Sequence, residues 1–104
     1  MVYRVELTIR AEQDLNYIYD RVSADDSDAA ARWYYELEKA IHSLARLPRR
    51  CPVIPESKET QIRLRHLLYG SRRDAYRVIY KIDEARKLVG VITIRHVAMD
   101  EFLE

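Results

Sequence analysis

A chain of 104 residues with 18 Lys and Arg against 17 Asp and Glu carries a formal charge of only +1, so its total charge gives no attraction toward nucleic acid or a membrane surface. Two glycines, one cysteine and three histidines exclude Gly-rich nucleotide loops, an internal disulfide and a spaced Cys/His zinc site, and no cofactor or metal is indicated. The length suits one domain over residues 1–104, and without an apolar run of membrane-spanning length or a signal-peptide layout in MVYRVELT it reads as cytoplasmic.

Val2 to Leu7 alternates Tyr3, Val5 and Leu7 with Arg4 and Glu6, the pattern of a strand with one buried face. Thr8 is placed to cap a helix running to about Val22 or Ser23, in which Ala11, Leu15, Ile18 and Val22 form a single apolar stripe. The polar break Ser23–Ser27 brings caps and negative charge to a second helix start. That helix carries Ala30, Trp33 or Tyr34, Leu37, Ile41, Leu44 and Leu47 on one stripe until Pro48 ends it, with Arg46, Arg49 and Arg50 near the negative end of the dipole.

Cys51 to Thr60 contains Pro52 and Pro55 and reads as a loop, in which Cys51 has no base beside it in sequence and is assigned no chemistry. Ile62, Leu64 and His66 alternate with Arg63 and Arg65 in a short strand, and Leu67 to Arg73 connects onward through a turn at Gly70-Ser71. Ala75 to His96 is the organising stretch, a hairpin of two strands joined by a charged turn. In its first strand Arg77, Ile79 and Lys81 share one face, and Tyr76, Val78, Tyr80 and Ile82 form the core face. Strict alternation in the second strand sets Val91, Thr93 and Arg95 on one face and Gly90, Ile92 and Ile94 on the other. Pairing that aligns Arg77 with Arg95 would give the hairpin a face with two guanidiniums. The tail VAMDEFLE is acidic and long enough for one helical turn.

The order β-α-α-β-β-β implies an α+β fold, a mostly antiparallel sheet with a helical hairpin on one face. Arg63, Arg65, Arg77 and Arg95 are left for the other face. Charge is partitioned along the same lines: −4 over residues 1–45, +8 over 46–96 and −3 over 97–104, a basic sheet half of the kind that attracts phosphates. Among eight tyrosines and Trp33, the residues Tyr17, Trp33 and Tyr34 fall where helices pack, whereas Tyr69 and Tyr76 flank the basic segment and are the better base-stacking candidates.

Nearly the whole chain resembles the RelE/ParE superfamily of toxins from type II toxin-antitoxin systems, also known as plasmid stabilization proteins. The similarity is carried, in order, by LTIRAEQDLNYIYD (Leu7 to Asp20), AARWYYELEKAIHSLARLPRRCPVIPE (Ala30 to Glu56), RHLLYG (Arg65 to Gly70), YRVIY (Tyr76 to Tyr80) and the closing IRH (Ile94 to His96). The resemblance implies the β-α-α-β-β-β fold and a cognate antitoxin as partner, in a toxin-antitoxin hetero-oligomer or with the toxin as a dimer. Two activities are implied by its two branches. RelE-like members are metal-independent endoribonucleases that cleave messenger RNA on the ribosome, by attack of a 2′-hydroxyl on the adjacent phosphate; ParE-like members inhibit DNA gyrase and are not nucleases. By position, Arg77 matches the arginine of the RelE active site, and Arg63 and Arg65 resemble its basic pair on the preceding strand. The catalytic candidates are then Arg77, Arg65 and His96, and the substrate-binding candidates Arg63, Arg95 and Tyr76.

Nuclease members place a further Arg, His or Tyr at or just after the last strand, where this chain has Val97 to Phe102. Cleavage needs a base, an acid and cations for the charge developing on phosphorus. Arginine supplies charge, but with a pKa above about 12 it is a poor proton-transfer group. His96, with an unperturbed pKa of about 6.5, is the nearest group that titrates near neutrality. Alternation points it away from Arg95, which leaves a turn of His96 into the cleft, or His66, as routes to the proton steps.

Overall fold

The computed structural model describes residues 2–22, 27–57, 62–71 and 75–98. The break at 23–26, the Arg72-Arg73 pair and the tail beyond Ala98 lie outside the described residues. The elements are β1 (Arg4–Leu7), α1 (Ile9–Val22), α2 (Ser27–His42), β2 (Arg65–Tyr69), β3 (Tyr76–Asp83) and β4 (Leu88–His96), with single 3-10 turns at Ser43–Ala45, Pro48–Arg50 and Pro55–Ser57. The four strands form one sheet in the order β1-β4-β3-β2, with β1 parallel to β4 and the other two pairings antiparallel. This is the expected α+β, β-α-α-β-β-β architecture. No helix among the described residues is long and apolar enough to cross a membrane.

The helices lie on one face of the sheet because their stripes match its inward side chains. Ala11, Leu15 and Ile18 of α1 and Leu37 and Ile41 of α2 join Val78, Tyr80, Val89, Val91 and Ile94 in one buried cluster, with Trp33 and Tyr34 packed at its margin. Each aliphatic side chain so buried contributes roughly 1.5–3 kcal/mol. Thr8 is the N-cap of α1: its Oγ1 accepts the Ala11 N–H at 3.1 Å, while its hydroxyl donates to the Ile92 carbonyl at 2.8 Å. One side chain thereby starts the helix and fastens it to the sheet.

α2 is shorter than its apolar stripe. It stops at His42, Leu44 is buried in the following 3-10 turn, and Leu47 is exposed in a left-handed conformation with φ 50°. The stripe therefore ends at Leu44. The expected cation at the helix end is Arg50, which donates to the carbonyls of Arg46 (2.6 Å) and Leu47 (3.2 Å) and to the Ser43 hydroxyl (2.8 Å).

Strict alternation fails in β4. A bulge lies where Ile79 pairs with Thr93 but the next residue, Tyr80, pairs with Val91, so Ile92 is the extra residue. Val91 consequently joins Ile94 in the helix-side core, and Ile92 turns to the opposite face beside Ile79. That opposite face is also less open than expected. Ile54 and Leu64, from the segment between α2 and β2, pack against Ile79 and Ile92 in a second buried cluster. β2 itself begins at Arg65, so Arg63 precedes the strand and residues 67–69, expected as a connector, belong to it.

Candidate functional site

β3 pairs Arg77 directly with Arg95 of β4, and β2 pairs Leu68 with Arg77 and His66 with Ile79. Directly paired residues share a face, so Arg77, Arg95, His66 and Leu68 stand together on the side of the sheet away from the helices. Arg77 is 7% exposed, and its Nε donates to His66 Nδ1 at 3.1 Å. Because that nitrogen accepts, the imidazole carries its proton on Nε2 in this arrangement. The pair is a guanidinium and a neutral imidazole held together in a partly buried site. Such a pair can stabilise anionic charge and offers one group able to exchange a proton.

The other expected site residues lie elsewhere. Arg65 pairs with Tyr80, which puts it on the helix side, where its Nη1 donates to the carbonyls of Cys51 at 2.6 Å and Arg49 at 3.3 Å. The expectation that Arg63, Arg65, Arg77 and Arg95 line one face is thus corrected: Arg77 and Arg95 share it, Arg65 is on the opposite side, and Arg63 is exposed ahead of β2. The physical reason is that Leu64 packs with Ile54 and Ile79 away from the helices, which turns Arg65, with Leu67 and Tyr69, to the helix side. His96 pairs with Tyr76 and stacks edge-on to it at 5.0 Å, also on the helix side, and its Nδ1 accepts the Ala98 N–H at 3.0 Å. It does not turn toward Arg77.

Tyr76 is equally committed. Trp33 contacts Tyr76 at 5.4 Å and Tyr69 at 5.3 Å between ring centroids, and the Tyr69 hydroxyl donates to the Trp33 carbonyl at 2.9 Å. These aromatics join α2 to the sheet and are not a free stacking platform. Burial pushes the Tyr69 phenol pKa up, assisted by the Glu36 carboxylate.

Two acidic side chains outside the Arg77–His66 pair carry weak sequence signals. Asp14 sits on the inward stripe of α1, between Ala11 and Ile18, and its Oδ2 accepts from the Thr93 hydroxyl at 2.5 Å and the Ile94 N–H at 3.0 Å. An acid in an apolar stripe is the signal that could have found it. At the opposite end of the sheet Glu84 accepts from the Tyr3 hydroxyl at 2.8 Å, from Lys87 at 3.1 Å and from Arg49 Nε at 3.0 Å. These hydrogen bonds, that from Tyr3 first, bring the Glu84 pKa down to about 2. Only Lys87, three residues away on the same turn, was close enough in sequence to be anticipated. Among the described residues no group of three or more His, Cys, Asp or Glu could hold a metal ion.

No curated protein matches the chain in sequence. Its fold is similar to that of several solved toxins. The chromosomal ParDE toxin-antitoxin system from P. aeruginosa aligns with a TM-score of 0.69 at 17% identity, over 91% of this chain and 96% of that one. A free-state mutant of the E. coli toxin RelE aligns with a TM-score of 0.60 at 18% identity, over 97% and 90%. The RelBE2 toxin-antitoxin complex from Mycobacterium tuberculosis aligns with a TM-score of 0.58 at 23% identity, over 92% of each chain. Residues 5–101 match the family described as the ParE toxin of type II toxin-antitoxin systems. The chain belongs to the ParE toxin family.

Proposed function

We propose that this toxin arrests growth by binding and inhibiting DNA gyrase, and that a cognate antitoxin neutralises it. The observation that carries the reading is the division of the nuclease candidates between the two faces of the sheet. Arg77 is on one side, and Arg65 and His96 are on the other, where Arg65 Nη1 and His96 Nδ1 are engaged by the chain's own backbone. Cleavage requires charge stabilisation and proton transfer to converge on one phosphate. Membership of the ParE family supports the same choice, and the solved ParDE and RelBE2 relatives support a protein antitoxin.

The test is to add the purified toxin to gyrase supercoiling reactions and, in parallel, to ribosomes programmed with messenger RNA. The expected result is loss of supercoiling with transcripts intact; intact supercoiling with cleaved transcripts would overturn it. One observation favours a second reading, RNA cleavage with His66 as the proton-transfer group. It is the 3.1 Å bond from Arg77 to His66 on the face shared with Arg95. In that case His66→Ala and Arg77→Ala would each abolish transcript cleavage, whereas His96→Ala would not.

A further inference from the structure

Leu47 is conspicuous on two independent grounds. Its backbone is left-handed (φ 50°, ψ 54°), a conformation that crowds the Cβ of any L-residue and that glycine adopts freely. Its side chain is 76% exposed, more than any other large apolar side chain among the described residues. The left-handed turn itself serves the fold by sending Pro48 inward, but glycine would make that turn without the crowding or the exposed apolar surface. What sets Leu47 apart from other exposed apolar residues such as Ile9 is that its side chain is retained at a position glycine would fill with less strain.

The base beneath Leu47 is firmly built. Pro48 is buried and its carbonyl accepts the Tyr80 hydroxyl at 2.5 Å, Arg50 is fastened to the carbonyl of Arg46, and Arg49 is ion-paired with Glu84. Leu47 therefore projects as a rigid knob. A hollow of about 380 Å³ opens beside it, lined by Tyr3, Leu47, Pro48, Arg49 and Arg50. Arg49 and Arg50 line that hollow, Glu84 offsets Arg49, and Arg46 is exposed next in sequence, so the surface around Leu47 carries a basic excess.

We infer that Leu47 is the knob by which the toxin seats on its target, a folded protein presenting an apolar socket rimmed by carboxylates. An exposed side chain on a hydrogen-bonded base complements a concavity in a folded surface. The basic excess selects the sign of the rim, and the hydrogen-bonded base limits the ordering lost on binding. The inference rests on the reading that the toxin acts by binding a protein target, and gyrase serves as the probe.

Leu47→Gly separates recognition from folding because the two respond in opposite directions. The variant is expected to melt a few degrees higher, on the order of 3 °C. Its affinity for immobilised gyrase and its potency in the supercoiling reaction are expected to fall at least tenfold, and its induction is expected to leave cells growing. Arg46→Glu is expected to weaken gyrase binding several-fold, with the difference from the parent shrinking as salt is raised. A Leu47→Gly toxin that arrests growth as strongly as the parent would overturn the inference. Growth arrest by the parent with supercoiling intact removes gyrase as target, and the comparison of parent with Leu47→Gly in growth arrest then decides this inference by itself.

Discussion

Removing the Asp14 carboxylate should detach the upper half of β4 from α1. β1 ends at Leu7, opposite Val91, so from Ile92 onward β4 has no strand neighbour on that side. Asp14 stands in for one by accepting from the Thr93 hydroxyl and the Ile94 amide. Hydrogen bonds to a charged acceptor contribute about 1.5–3 kcal/mol each. Both converge on one oxygen, and the side chain is 23% exposed, so water replaces part of the loss. The ion pair to Arg10, at 3.9 Å with that side chain 63% exposed, adds little. Asp14→Ala is therefore expected to cost about 2–3 kcal/mol, or roughly 10–20 °C in Tm for a chain of this size. Asp14→Asn keeps an acceptor and should cost about 1 kcal/mol. Urea denaturation followed by circular dichroism gives the stabilities, and hydrogen exchange at the Ile94 amide reports the local opening. A loss for Asp14→Ala below about 0.5 kcal/mol, or equal losses for Ala and Asn, would refute the strand-substitute argument.

Glu84 supplies a pH signature. Its folded pKa of about 2 lies below the ordinary 4.5, so its contribution is complete above about 4.5 and is lost as pH falls through about 2. Stability measured down this acid limb should decline less steeply in Glu84→Gln, and an identical slope would count against the Tyr3–Glu84–Lys87 linkage. Tyr80→Phe leaves the buried Pro48 carbonyl without its donor and should cost about 1–2 kcal/mol by urea denaturation. Burial also raises the Tyr80 phenol above the ordinary value, so an alkaline spectroscopic titration should show a late-ionising phenol that is lost in Tyr80→Phe.

The fold was legible where the period of the side chains matched the element. Ala11, Leu15 and Ile18 at helical spacing, Thr8 at the N-cap, and Tyr76, Val78 and Tyr80 in alternation all lie where their spacing puts them. Legibility ended where a tertiary partner overrode a local pattern. Leu47 continues the α2 stripe, but the chain has already left the helix at His42, and Pro48 is drawn inward to meet Tyr80. Ile92 fits two strand faces equally well in sequence, and packing against Ile54 and Leu64 decides between them. The site was half legible for the same reason. The Arg77–Arg95 alignment was open in the sequence: the register at the turn, Asp83 with Leu88, would carry Arg77 opposite Ile94, and the bulge at Ile92 brings it opposite Arg95. Arg65 alternates with Leu64 as read, but Leu64 packs with Ile54 and Ile79 away from the helices, which turns Arg65 to the helix side. His66 could be named from the sequence as an alternative proton-transfer group, but its bond to Arg77 required the β2–β3 register.

The bulge in β4 bears on folding fidelity. Leu88 to Ile94 is so evenly apolar that hydrophobicity alone would let the strand dock on β3 in more than one alignment. A slip of one position past Ile92 would carry Arg95 under the helices among Trp33, Tyr76 and Ile18, taking its charge out of water, and would expel Ile94. Arg95 thus vetoes the competing alignment, and the extra residue at the bulge lets Val91 and Ile94, three positions apart, both point inward in the permitted one. A strand that looks promiscuous in composition is made single-valued by one cation and one surplus residue. Replacing Arg95 with an apolar side chain would remove the safeguard while leaving every core contact of the native fold in place.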